Sequence, residues 1–213
     1  MNELDQIIRT LSLTMGTAWA SGINLYATIL VLGVLHLTGN FVLPEALQLL
    51  ANPMVIGAAG IMYVVEFVAD KIPGLDTGWD TIHTFVRIPA GAMLAAGAVG
   101  EVNPALILTA GILGGGLAAG SHATKAGGRV MINTSPEPFS NWTVSLLEDV
   151  AVLAGLWAAL HSPWLFLSLL LLFILLMLWL LPKLWRSIKK VFRFLFRIFG
   201  GAGNDDRPTL PQN

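Results

Sequence analysis

One stretch constrains this chain more than any other. Leu165 to Leu181 carries no charged residue, and Lys183, Arg186, Lys189, Lys190, Arg193 and Arg197 follow it. A helix needs about 20 mostly apolar residues to cross a bilayer, and a helix that is apolar on every side belongs in a large core or in lipid. The composition agrees. Of 213 residues, 55% are apolar types and 12% are charged, where a soluble domain carries roughly 25% charge. That excludes a disordered chain. With 12 basic and 13 acidic residues the net charge is −1, so no basic surface for nucleic acid is expected. The absence of cysteine excludes disulfides, thiolate metal sites and cysteine nucleophiles.

Six apolar stretches have spanning length: 11–37, 53–71, 77–100, 104–124, 142–161 and 163–182. Asn52-Pro53, Asn103-Pro104 and Ser162-Pro163 each put a capping residue before a proline at the first helical position. The expected architecture is all-α, a polytopic membrane bundle of about six transmembrane helices over 1–182. Residues 183–199 should form a basic amphipathic helix lying in the interface and attracted to anionic lipid. The polar tail, 200–213, should be disordered. Gly111 to Gly120 holds several small-xxx-small pairs, which let helices approach closely. A second copy of the chain is an admissible partner on such faces.

With six spans, Arg9, Lys71, Lys125, Arg129 and the cluster after Lys183 all fall on one side, while connections 38–52, 101–103 and 162 lack lysine and arginine. The positive-inside rule makes that side cytoplasmic, with both termini inside and the protein in the inner membrane of the cell. Ala18-Trp19-Ala20 has the spacing of a signal cleavage site. Glu3 and Asp5 against Arg9, and the interruptions Thr14, Gly16 and Thr17, favour a retained first span instead.

Two sets of matches suggest an internal repeat. Gly16, Ala20 and Gly22 align with Gly114, Ala118 and Gly120, which sets Asn24 opposite His122. Glu66, Val68 and Ala69 align with Glu148, Val150 and Ala151. Spans one to three would then repeat as spans four to six, residues 11–100 and 104–182. This is the 3+3 inverted repeat of many secondary transporters, whose sites lie where the halves meet.

Charge inside a bilayer costs about 2.5–3.5 kcal/mol per group even on the lenient insertion scale, so the ionisable residues within spans need an explanation. Glu66 and Asp70 are four apart, on one helix face. Asp76, Asp80, His83 and Arg87 form a single stripe roughly 16 Å long that must face protein or water. Glu148 and Asp149 are adjacent and diverge by about 100°. Arg87 should neutralise Asp80 or Asp76, and Lys71 should reach Asp70 or the interface. Glu66 and Glu148 then lack an evident cation, so they would hold a proton or bind an ion. Asn24 and His122, beside the helix-weakening Gly22 and Gly120, would supply neutral ligands. The set Glu66, Asp70, Glu148, Asn24 and His122 is thus the candidate ion- or solute-binding site. Asp76, Asp80, His83, Arg87 and Asp149 form the supporting network. A buried ion-pair network with a purely structural role fits the same residues.

No Gly-Lys-Ser/Thr follows the glycine-rich run, and neither His-Glu-x-x-His nor Gly-x-Ser-x-Gly occurs. No catalytic residue or metal centre is therefore assigned, and no cofactor beyond a bound cation is expected. The turn-rich segment from Met131 to Asn141 contains Pro136-Glu137-Pro138, and Asn141 should cap the fifth span.

Glu66-Phe67-Val68-Ala69-Asp70-Lys71-Ile72-Pro73, then Trp79-Asp80, Arg87-Ile88-Pro89-Ala90-Gly91 and Ser135-Pro136-Glu137-Pro138, resemble a family of bacterial multi-pass membrane proteins known as a domain of unknown function. The resemblance covers about residues 10–160. It implies a small integral membrane protein in which the carboxylate pair and the Pro-Glu-Pro turn are family features, and it carries over no activity. Three functions remain in view. The leading one is a small transporter or channel for a cation or a proton-coupled solute. A scaffold or assembly factor is the second, and an intramembrane enzyme the third.

Overall fold

The computed structural model describes residues 2–133 and 138–199, with Pro138, Ile188 and 190–199 as backbone alone. The Ser-Pro-Glu segment at 135–137, the tail at 200–213 and the amphipathic face of 190–199 lie outside the described side chains. Every regular element among the described residues is helical. They are α1 (Glu3–Ile23), α2 (Leu25–Leu37), a 3-10 helix (Glu45–Ala51), α3 (Pro53–Ala69), α4 (Leu75–Ala98), α5 (Pro104–Ile132), α6 (Pro138–His161) and α7 (Pro163–Phe199).

The three Asn/Ser-Pro starts fall where the sequence puts them. Asn52 accepts from the amide of Met54 and Asn103 from that of Ala105, both at 2.9 Å, so each satisfies a donor that the helix itself leaves orphaned. Gly74 precedes α4 at φ +86°, a conformation costly for any residue with a Cβ. Asn141 caps nothing, because α6 already begins at Pro138.

Three helices are long and apolar enough to cross a membrane: α5, α6 and α7. The 3-10 helix and α3 together make a fourth candidate, bent by 66°. In α7 only 11% of the apolar window is buried inside the bundle. Leu165, Leu169, Leu172 and Leu176 are exposed along it, as a lipid-facing surface requires. The continuous helix α7 replaces the separate interfacial helix expected from Lys183. The first expected span, 11–37, is not one helix, because the chain breaks at Asn24 (φ −144°, ψ 97°). α2 then turns back along α1, and Phe41 to Pro44 line a hollow with Arg9, Thr10 and Leu13. The fourth span does not stop at residue 124. α5 runs to Ile132, because Lys125 and Arg129 are buried residues of the helix, not loop charges.

Close approaches give the direction of each helix. Ala18 lies against Gly114, and Gly22 against Ala118, so α1 and α5 run the same way. Gly120 meets Met177 and Gly127 meets Leu184, so α7 is parallel to them. Ser12 donates to the carbonyl of Ala159 at 2.9 Å and Asn24 to Asp149 at 3.0 Å, so α6 runs the other way. These directions overturn two expectations. An inverted repeat would make α1 and α5 antiparallel, because it relates span one to span four by a turn about an axis in the membrane plane. They are parallel. The start of α1 also lies beside the α6–α7 junction, so Arg9 and Lys183 sit at opposite ends of the bundle, against the expectation that they share a side.

Lipid is as apolar as leucine, so helices associate here through packing and polar bonds. One core joins Trp19 edge-on to Phe166 and Phe173, with ring centres 6.1 and 6.0 Å apart, and includes Ile23, Leu117, Val152 and Leu156. A second holds Leu13, Leu25, Leu32, Leu43, Leu47 and Leu94. The charged residues lie toward the Lys183 end of both cores.

Candidate functional site

The site begins at the break in α1. A helix continuing through Asn24 would bond the amide of Ala27 to the carbonyl of Ile23. Instead the side chain of Asn24 accepts from Ala27 at 2.9 Å and caps α2. The freed carbonyl of Ile23 receives the ammonium of Lys125 at 3.1 Å. The other side of the Asn24 amide donates to Asp149. Asn24→Ala is expected to cost about 1 kcal/mol for the lost cap, plus about 1–3 kcal/mol for the acceptor left unpaired on Asp149. Asn24→Asp, which keeps the cap but repels Asp149, should be at least as damaging. Thermal unfolding in detergent reads both, and a neutral Asn24→Ala would contradict the cap.

α4 supplies the middle of the site. Arg87, fully buried, donates to Glu66 at 2.6 Å, to Asp80 at 2.9 Å and to Nδ1 of His122 at 3.0 Å. Because Arg87 only donates, Nδ1 of His122 is the acceptor and the ring proton sits on Nε2, 2.7 Å from the hydroxyl of Thr84. His122 is therefore a neutral imidazole wedged between Arg87 and Thr84. His83 leaves the stripe. It stacks on Trp79 with ring centres 4.2 Å apart and reaches the Tyr26 hydroxyl at 3.0 Å.

α5 supplies two cations, Lys125 and Arg129, that lie beyond the span expected at 104–124. Lys125 lies 2.9 Å from Asp70, 3.3 Å from Glu66, 3.7 Å from Asp80 and 3.9 Å from Glu148. Arg129 pairs closely with Glu148 and lies 3.4 Å from Asp70 and 3.7 Å from Asp76. It also donates to the Asp70 carbonyl at 2.6 Å and to Asn141 at 2.8 Å. Thus Glu66 and Glu148, expected to lack cations, each have two: Glu66 has Arg87 and Lys125, and Glu148 has Arg129 and Lys125. Asp76 turns from Arg87 toward Asn133, which donates to both its oxygens at 2.8 and 3.0 Å. Lys71 does not reach Asp70; it donates to the Phe67 carbonyl and lies over that ring. The missed signal was legible. His122, Lys125 and Arg129 are three and four residues apart, the same helical spacing that singled out Asp80, His83 and Arg87.

The balance of charge remains uneven. Glu66, Asp70, Asp76, Asp80 and Glu148 pair with Arg87, Lys125 and Arg129, while Asp149 is held by Asn24, so paired carboxylates outnumber cations five to three. Oε2 of Glu66, Oδ1 of Asp70 and Oδ2 of Asp80 are buried with no hydrogen-bond partner. A buried carboxylate oxygen without a donor is costly, and a proton or a bound cation removes that cost. Among the described residues, no three carboxylates or histidines converge tightly enough to hold a metal ion as they stand. Small residues close the bundle on the Ser162 side, where Gly91 and Gly114 pack against Ala118 and Ala95. Glu148 has its side chain 17% exposed.

These features define a protein that is all-helical over its described residues, with three or four helices long and apolar enough to span a membrane, around a buried, acid-rich ion-pair network. The chain belongs to the family described as Domain of unknown function (DUF4126), whose sequence model matches residues 11–183. No curated protein and no solved structure matches it.

Proposed function

We propose that this protein is a small transporter or channel that carries a cation, or a solute coupled to protons, across the membrane. One observation supports it: five carboxylates, four of them buried, share three cations beside a broken helix, and three of their oxygens lack partners. Intramembrane ionisable groups mark ion and proton pathways by default, and the carbonyl ends of broken helices bind cations in transporters. The test is flux. Purified protein in liposomes should dissipate an imposed proton, sodium or potassium gradient faster than empty liposomes, and Glu66→Gln should abolish the difference. Liposomes no leakier than the protein-free control to any of these ions would end the proposal.

The same reading places the protein in the cytoplasmic membrane with the Lys183 end inside. Lys71 and the basic run after Lys183 lie at that end and suit anionic headgroups. Arg9 stands among Glu3, Asp5, Glu45 and Glu101 at the other. Single cysteines at Asp5, Asn40, Glu101 and Ser162 should label from outside, and one at Lys183 only from inside. Labelling of Asp5→Cys from the inner side would refute the parallel course of α1 and α7.

A further inference from the structure

We infer that the oxygens around Lys125 form a site for a monovalent cation of potassium size, occupied in this conformation by the lysine ammonium, which gives way when an external cation binds. This deepens the transport reading and takes its purpose from it, but the binding event stands on its own geometry. Five oxygens surround Nζ: the Ile23 carbonyl and one carboxylate oxygen each from Asp70, Glu66, Asp80 and Glu148, at 2.9 to 3.9 Å. An ammonium has three hydrogens to donate, and three oxygens lie within hydrogen-bond distance. Two carboxylates therefore remain at longer range, held by charge alone.

Two further observations point to a ligand. The Ile23 carbonyl is available only because the helix breaks at Asn24 and that side chain takes the amide of Ala27. Glu66, Asp70 and Asp80 each also keep a second buried oxygen without a partner, so these carboxylates have acceptor capacity that the three ammonium hydrogens do not fill. The ammonium ion and potassium are nearly equal in radius, so a cage set by one suits the other better than it suits sodium or lithium. Lysine is fit for the role of placeholder, being a compact charge on a flexible four-carbon stem. Glu148, partly exposed and at the cage edge, marks where the entering ion would first meet a carboxylate.

Lys125→Met keeps the stem and removes the charge. Unfolding temperature in detergent is measured while N-methylglucamine chloride is exchanged for potassium, ammonium, sodium or lithium chloride at constant ionic strength. Potassium and ammonium should stabilise Lys125→Met saturably, at roughly a hundredfold lower concentration than wild type requires, since a tethered competitor acts at high effective concentration. Lys125→Arg, which retains the charge, should show no saturable response. A Lys125→Met protein that folds only when potassium is present is the same result in stronger form. A response in Lys125→Met that is flat, or identical to wild type, overturns the inference. So does a Lys125→Met that fails to fold in every salt while Glu66→Gln/Lys125→Met folds. Potassium binding by Lys125→Met, together with wild-type liposomes that leak no ion, would remove the transport reading and leave the site standing.

Discussion

Arg87→Met should be the most damaging single change in the membrane interior, at about 3–5 kcal/mol of stability. The guanidinium is fully buried and holds Glu66 and Asp80 at 2.6 and 2.9 Å. Removing it strands both carboxylates and leaves Nδ1 of His122 without its donor. Most of that cost is the isolation of the remaining charges, not the worth of the pairs. Arg87→Met combined with Glu66→Gln and Asp80→Asn should therefore recover a large part of the loss. Arg87→Lys should not, because one ammonium cannot reproduce a planar fork that meets three acceptors. Denaturant melts of the four proteins in one detergent decide the matter. A triple variant no more stable than Arg87→Met would show that the three groups are not coupled.

Gly22→Leu is expected to do comparable harm by steric means alone. A Cβ at Gly22 would fall inside contact distance of the Ser121 hydroxyl and the Ala118 carbonyl. The second is backbone of α5 and cannot rotate away. Even Gly22→Ala must push α1 and α5 apart, which in a packed interior costs about 1–3 kcal/mol. The displacement would also reach the site, because Ser121 donates to the Trp19 carbonyl at 3.1 Å and Lys125 to Ile23 one turn further. Gly116→Ala is the control. Nothing lies within 4 Å of its Cβ, and alanine favours a helix over glycine by about 1 kcal/mol. Gly22→Ala should lower the unfolding temperature while Gly116→Ala holds or raises it. Equal behaviour of the two would discount close α1–α5 packing.

Much of the helix plan could be read locally. Asn-Pro and Ser-Pro pairs mark starts that need no tertiary information, and the uncharged run in α7 declares itself. The rest depends on partners distant in sequence. A break at Asn24 looks like any polar residue in an apolar stretch until Asp149 and Lys125 are seen on either side of it. Lys125 and Arg129 read as topogenic charges because the positive-inside rule rewards placing them in a loop. Their spacing from His122 says otherwise, since it matches that of Asp80, His83 and Arg87 in α4. Glu66, Asp70, Asp80, Arg87, Glu148 and His122 do come together, although Asn24 and His122 are taken up by Asp149, Arg87 and Thr84. The repeat failed for a different reason. Glycine and alanine recur wherever helices pack closely, so α1 and α5 look alike because they pack on each other, not because they are related halves.

The cage around Lys125 also bears on how the chain is made. Glu66 and Asp70 emerge from the ribosome 59 and 55 residues before the lysine that balances them. α4 follows with Arg87, which meets both Glu66 and Asp80, but Asp70 pairs only with Lys125 and Arg129 of α5, since Lys71 is turned to Phe67. A segment with uncompensated acids enters lipid poorly. Stable insertion of the first half is therefore expected to depend on the two cations that α5 supplies. Truncation before Lys125 should yield an amino-terminal fragment that does not settle in the membrane, however apolar its composition. For this chain, the order of synthesis and the order of stable insertion should then differ.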